Sequence, residues 1–400
     1  MNSFFLFVCF IIMWLMIFGV CLYYTGLVKE KNRIHTLYYT ITSLFLTMIL
    51  WLIAGYSLAF HDNGIVIGDL DWSIFNLGNF IESEEQSLDI FQMLFQMSFC
   101  MYAVVMLNGA IVERVNLKSF LLFLPLWILV VYIPLVYWIW SDSGWLMELG
   151  VLDFSGGMVV HISAGVSSLV LAKILGKRHI ENLPKAPNNI ILVFLGTIFI
   201  CFGWFGFNAG PVGEVNALTG MILVNTVVAI ICGACGWTVT EYAKSGQLSL
   251  MGLLNGTIVG LVGSTSGVAY VSPVAMMMIT FTAGIVCCFV VMFIQNKTNI
   301  DDAVDSFGMN AIGGIVGSLG TGFFATTAMN SDGADGLING GVTLMGKQIL
   351  GIIISISLSA LGTYLIAKLI SAISPLRTTK KEEDIGLDYA IYGEEAVKKN

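Results

Sequence analysis

Eleven predominantly apolar stretches follow one another along this chain, most of them close to the roughly 20 residues that cross a bilayer as a helix. They run at 4–27, 36–60, 90–110, 119–140, 156–175, 190–210, 217–242, 250–266, 273–295, 306–327 and 341–374. A lipid-exposed backbone must satisfy its own hydrogen bonds, so each stretch is expected to be a transmembrane helix. Composition agrees: 57% of the 400 residues are hydrophobic and 11% charged, against roughly 25% charged in a soluble domain. The fold class is therefore an all-α polytopic membrane protein. The first run lacks a basic leader segment and a small-residue cleavage site, and reads as a retained helix.

Basic residues test the count. Lys29, Lys31 and Arg33 follow span 1, Arg114 and Lys118 follow span 3, and Lys173, Lys177, Arg178 and Lys185 follow span 5. Lys244 follows span 7, Lys297 follows span 9, and Lys368, Arg377, Lys380, Lys381, Lys398 and Lys399 lie at or beyond the end of span 11. The even-numbered exits carry none apart from Lys347, near the start of span 11. A miscounted helix would scramble this alternation. By the positive-inside rule the N-terminus is outside and the C-terminus cytoplasmic. Residues 61–89 form an acidic outside loop without Lys or Arg, including Asp62, Asp69, Asp71, Glu82, Glu84 and Glu85.

An odd number of helices invites a division into five plus five plus one. Spans 1–5 (within 1–176) and 6–10 (within 189–327) then have opposite orientations, as inverted repeats require. Span 11 (341–374) is long enough to demand a strong tilt or a projecting end, and 375–400 form a separate charged tail. In this division span 5 corresponds to span 10. Asp153 opens the segment GGMVVHISAG, and Asp305 opens SFGMNAIGGIVGSLG. Substrate sites of inverted-repeat transporters lie near the midplane between the halves, which singles out His161 and, as its counterpart, Asn310. An ionisable ring inside a membrane helix is a functional-site hypothesis by default. Taken alone, His161 is equally compatible with a buried ring satisfied by a neighbouring carbonyl. Small residues crowd both helices and permit close backbone approach.

Several function classes are excluded. No glycine-rich phosphate loop follows a strand and no nucleophile–base pair is evident, so an enzyme is not expected. The CxxC spacing at Cys232 and Cys235 lacks a second ligand pair and sits in an apolar run, which points to packing and not to a metal site. No cofactor motif is present, and no basic run suits nucleic acid. His35, His61 and His179 fall in connections and read as solvated polar residues.

Five motifs carry a resemblance: DFSGGMVVHISAG (153–165), GWFGFNAG (203–210), LVNTVVA (223–229), GAIVER (109–114) and DDAVDSFGMNAIGGIVG (301–317). With MIFGVCLYYTGLVKEKN in span 1 and EEDIGLDYAIYGEEAV in the tail, the chain resembles the Amt/Mep/Rh ammonium transporter family, on the Amt side. The resemblance implies eleven transmembrane helices, a homotrimer in the cell membrane and a narrow hydrophobic pore in each subunit. It also implies regulation through the C-terminal tail, with a P-II type signalling protein as a possible cytoplasmic partner.

Carried over by position, Phe99 and Phe207 match the two phenylalanines that close the outer mouth. Trp140 matches the vestibule tryptophan of the external recruitment site, and Asp153 an acidic residue with a structural and electrostatic role. His161 matches the first of two pore histidines. The sequence departs from the pattern at the second, where it has Asn310, and at the external-site serine, where it has Pro211. Asparagine donates and accepts hydrogen bonds but does not titrate; proline offers neither a hydroxyl nor an N–H. The tail has Tyr392 where a histidine is usual. The implied function is ammonium transport with external cation recruitment and an altered single-histidine proton path. The alternatives are a poorly conducting ammonium receptor signalling through the tail, or a pore for another small neutral molecule.

Overall fold

The computed structural model describes residues 2–61, 64, 66–70, 84–179 and 187–396, with backbone only for 84–87. Of the acidic outside loop, Asp62, Asp71 and Glu82 lie outside the described residues, as do Lys185, Lys398 and Lys399. Ten helices are long and apolar enough to cross a membrane: α1 (Ser3–Leu27), α2 (Glu30–Phe60), α3 (Leu88–Gly109), α4 (Leu117–Leu149), α5 (Gly157–Leu175), α6 (Ile190–Val212), α7 (Ala217–Ser245), α9 (Pro273–Lys297), α10 (Phe307–Phe324) and α11 (Val342–Ile373). The eleventh expected span is α8 (Leu250–Ser264), a shorter apolar helix of 15 residues. The all-helical architecture of the sequence reading is therefore the observed one, and the described residues contain no β-strand beyond one isolated bridge.

Helix starts follow local chemistry. Asn2, Asn116, Asn189, Asn216, Ser249 and Ser272 accept from backbone N–H groups of the first turns of α1, α4, α6, α7, α8 and α9. Each such cap satisfies one otherwise orphaned donor and is worth about 1 kcal/mol. Apolar runs thus end where a short polar side chain can hold the backbone.

Glycines set the crossings between the two halves. α1 packs along α6, and a Cβ placed on either Gly19 or Gly196 would collide with the other helix's backbone. α5 and α10 cross in the same manner: Gly165 lies against the backbone of Ala311, and Gly314 against the Gly157 carbonyl. Such close approach is how helices associate where burial from water supplies no drive.

α11 has 32 residues, about 48 Å at 1.5 Å per residue, longer than a ~30 Å hydrocarbon core. Polar side chains fasten it to the bundle. Gln348 accepts from Leu152 N at 2.8 Å and donates to Leu152 O at 2.7 Å, and Thr363 donates to Ser167 Oγ at 2.8 Å.

The tail is docked on the chain itself. Thr378 N donates to Arg114 O, Asn116 N to Leu376 O, and Arg377 Nη1 to Leu175 O. Farther on, α12 (Lys380–Ile385) presents the Glu383 and Asp384 carbonyls to Lys31 Nζ at 2.8 and 2.6 Å. The ends of α1, α3 and α5 therefore share one face with the tail. His35 belongs to this seam and is not solvated as the sequence suggested. Its side chain is fully buried, its N–H donates to Asp388 Oδ1, and its Nδ1 lies 3.2 Å from the Tyr392 hydroxyl. His179 is exposed and reaches Glu383 through its backbone. His61 pairs with Asp69 at 2.5 Å, so it too is engaged.

Candidate functional site

α5 begins with a carboxylate. Asp153 Oδ2 accepts from Met158 N at 2.9 Å and Val159 N at 3.0 Å, while Oδ1 accepts from the Ser266 hydroxyl at 2.8 Å. The chain turns into the helix through Gly156 at φ +97°, a conformation that glycine adopts at no steric cost. Burial pushes the Asp153 carboxyl up to about 6, with these hydrogen bonds opposing the shift.

α10 repeats the device, but with a different residue from the one its sequence suggested. Asp302, not Asp305, caps it: Oδ1 accepts from Ser306 N at 3.0 Å and Oδ2 from Phe307 N at 2.8 Å. Asp305 occupies the place of Gly156, with φ +58°, and bonds Gln295 at 2.8 Å. In this register Asp153 and Asp302, His161 and Asn310, and Gly165 and Gly314 coincide. Burial raises Asp302 to about 6 despite its N–H partners, and Asp305 to about 7 with Asp302 beside it.

α5 and α10 bring His161 and Asn310 together where they cross. Asn310 Nδ2 donates to Ser306 O at 3.1 Å, which leaves its Oδ1 facing His161 Nδ1 at 2.9 Å. An amide oxygen accepts only, so in the neutral ring the proton sits on Nδ1 and Nε2 carries the lone pair. Nε2 is buried and has no partner among the described residues.

Aromatic rings close the side away from the tail. Phe99 and Phe207 are buried with centroids 4.4 Å apart. Trp140 meets Phe99 edge-on at 5.3 Å, and its Nε1 donates to Asp153 O at 2.6 Å, which ties the indole to the start of α5. Pro211 lies four residues beyond Phe207 in a short 3₁₀ turn (Gly210–Val212) and supplies no donor there. Two further rings escaped the sequence reading. Trp204 lies parallel to the His161 ring at 5.4 Å, and Tyr102 stands edge-on to both. The spacing held a signal for each: both lie three residues from Phe99 or Phe207, one turn along α3 or α6.

On the tail side of the crossing a small cavity of about 20 Å³ is lined mainly by apolar groups, with Asn310, Ser306, Tyr102, Tyr23 and Tyr24 as its polar members. Beneath it lies a buried charge cluster. Arg178 bonds Asp301 through Nε at 2.8 Å and Glu113 through Nη1 at 2.5 Å, and Arg114 Nη2 donates to Asp301 O at 2.6 Å. Burial alone would raise Asp301; the guanidinium groups of Arg178 and Arg114 outweigh it and hold the carboxyl below its usual range.

Two oppositely directed spanning helices that cross, a buried aromatic pair beside them and a histidine at the crossing define a membrane protein of the transporter class. Residues 4–397 match the family model described as Ammonium Transporter Family. The chain is 40% identical over 400 residues to the ammonium transporter of Bacillus subtilis (strain 168), covering 99% of this chain and 98% of that one. It is 34% identical to ammonium transporter Amt1 of Archaeoglobus fulgidus over 96% of this chain and 95% of the other. Among solved structures it resembles Saccharomyces cerevisiae Mep2, with a TM-score of 0.86, 31% identity and coverage of 94% and 87%. A structure described as a sensor Amt protein gives a TM-score of 0.88 at 27% identity, covering 98% of each chain. The chain belongs to the ammonium transporter family, whose members are transporters and not enzymes.

Proposed function

We propose that each subunit carries ammonium inward across the cell membrane, with the tail-bearing face cytoplasmic and the N-terminus outside. The observation that carries this reading is the order of groups along one path. Trp140 comes first, then the Phe99–Phe207 pair, the His161–Asn310 crossing, and the cavity toward the tail. Ammonium gathers near Trp140, where a cation over an aromatic face gains about 0.5–2 kcal/mol. Pro211 offers it no hydroxyl, so recruitment rests on the rings and on nearby carbonyls. Past the phenylalanines, one ammonium N–H bond breaks and its proton passes to His161 Nε2, leaving ammonia and an imidazolium. Asn310 has no basic nitrogen to take a proton onward. The His161 Nε2–H bond therefore breaks toward ammonia that has moved past the ring, which re-forms ammonium and the neutral imidazole without a second histidine.

The proposal extends to a homotrimer, to a regulatory role for residues 375–400, and to a P-II type signalling protein at the tail face. Methylammonium uptake by proteoliposomes containing the full chain tests the transport reading. Flux above empty liposomes is expected, and its absence overturns the proposal. A receptor role is the second reading, favoured by the likeness to a sensor Amt structure and by the seam that the tail makes with three helix ends. It requires ammonium to change hydrogen exchange of residues 376–392.

A further inference from the structure

Three polar side-chain atoms around the crossing are fully buried and have no hydrogen-bond partner among the described residues: His161 Nε2, Trp204 Nε1 and Tyr102 Oη. Their rings touch one another, at 5.4 Å for His161–Trp204, 5.9 Å for Tyr102–His161 and 5.5 Å for Tyr102–Trp204. Buried polar atoms left unpaired in a membrane interior call for an occupant. Their chemistry restricts what it can be. Trp204 only donates, neutral His161 Nε2 only accepts, and a tyrosine hydroxyl does either. Ammonium has four N–H groups and no lone pair, so it satisfies His161 and opposes the Trp204 N–H. An uncharged amine has both a lone pair and N–H groups and can satisfy donors and acceptor together.

Tyr102 is the member of this trio that also lines the tail-side cavity, beside Asn310 and Ser306. A phenylalanine would fill the same space without an unpaired hydroxyl, so packing does not account for the oxygen. We propose that Tyr102 is a ligand-binding residue whose hydroxyl donates to the lone pair of an uncharged small amine on the tail side of His161. In this way it favours the deprotonated species at the point where the substrate leaves the ring. The inference rests on the transport reading for its purpose, but the subsite itself is separately testable.

The test uses the full chain and Tyr102→Phe. In proteoliposomes the variant is expected to carry ammonium about fivefold more slowly, the effect of one neutral hydrogen bond, with potassium still excluded and thermal stability equal or higher. A high-resolution structure in methylammonium chloride should show elongated density within hydrogen-bond distance of Tyr102 Oη, absent from the variant. Wild-type flux in Tyr102→Phe overturns the proposal. So does density at Oη that is the same with and without the amine, which would be water. If the wild type shows the amine density but carries no ammonium, the subsite stands and the transport reading falls.

Discussion

The beginnings of α5 and α10 are the same piece of engineering carried out twice, from opposite faces. In each a carboxylate accepts from the first free N–H groups of the helix. Each has a left-handed residue three positions on, the pore-depth residue eight on and a crossing glycine twelve on. They differ at the eighth position, where one has an imidazole and the other an amide that meets it at 2.9 Å. The cap, the turn and the crossing are thus the same whether an imidazole or an amide stands at that position. The scaffold positions a side chain; which side chain it is remains free to vary.

The asymmetry ranks the expected effects. His161→Ala should have the largest, because it removes the imidazole at the crossing. Methylammonium uptake should fall about a hundredfold, the lower range for losing a proton-transfer group. Unaltered flux would show that the two positions are equivalent in contributing nothing but shape. Asn310→His should act less strongly and in the other direction, since a second imidazole provides an onward proton acceptor. Flux is expected to rise several-fold or to gain a new pH dependence near neutrality, read as uptake between pH 5.5 and 8. An unchanged pH profile would mean that His161 works alone even when given a partner.

The two caps should behave alike if the repeat is real. Both carboxyls are pushed up by burial to about 6, above their usual 3.8. The folded state then holds its protons more tightly than the unfolded one, and each group lowers stability as pH rises from about 4 to 6. Asp153→Asn and Asp302→Asn keep one accepting oxygen and cannot ionise. Each should flatten the pH dependence of the melting temperature over that interval. Replacement by Ala, which removes the cap itself, should cost about 1–2 kcal/mol. A cost confined to one of the two would break the comparison.

Much of this was open to inspection in the chain. Asparagine and serine caps bound the apolar runs, and the alternation of lysine and arginine groups the helix ends that share the tail's face. The aromatic motifs identify the mouth. The sequence pairs His161 with Asn310 in the observed register but places the opening carboxylate three residues late, because Asp305 looks like a cap and Asp302 does not stand out beside Asp301. Only the left-handed backbone at Gly156 and Asp305 aligns the two caps, and φ is not written in side-chain identity. Tyr102 and Trp204 stand one helical turn from Phe99 and Phe207, but in apolar helices that spacing is as common for packing as for a site. It takes unpaired buried atoms to mark them. His35 was misjudged because its partners, Asp388 and Tyr392, lie more than 350 positions away.

A last difference concerns surroundings. The start of α10 lies under the tail through a relay: Thr378 N donates to Arg114 O, Arg114 holds Asp301, and Asp302 follows in the chain. The start of α5 lies beside Trp140, and among the described residues no part of the tail bonds to it. Arg377 anchors the tail by donating to Leu175 O at 2.7 Å and by pairing with Glu383 at 2.6 Å. Arg377→Ala should therefore loosen the start of α10 and leave that of α5 alone. The effect is small, because only the outer link of the relay is lost. Amide exchange at Ser306 and Phe307 should quicken a few-fold, about 1 kcal/mol of local opening, while Met158 and Val159 keep their protection. Equal changes at both starts would mean that α5 and α10 are coupled through their crossing at Gly165 and Gly314, and that the tail acts on the pair as a unit.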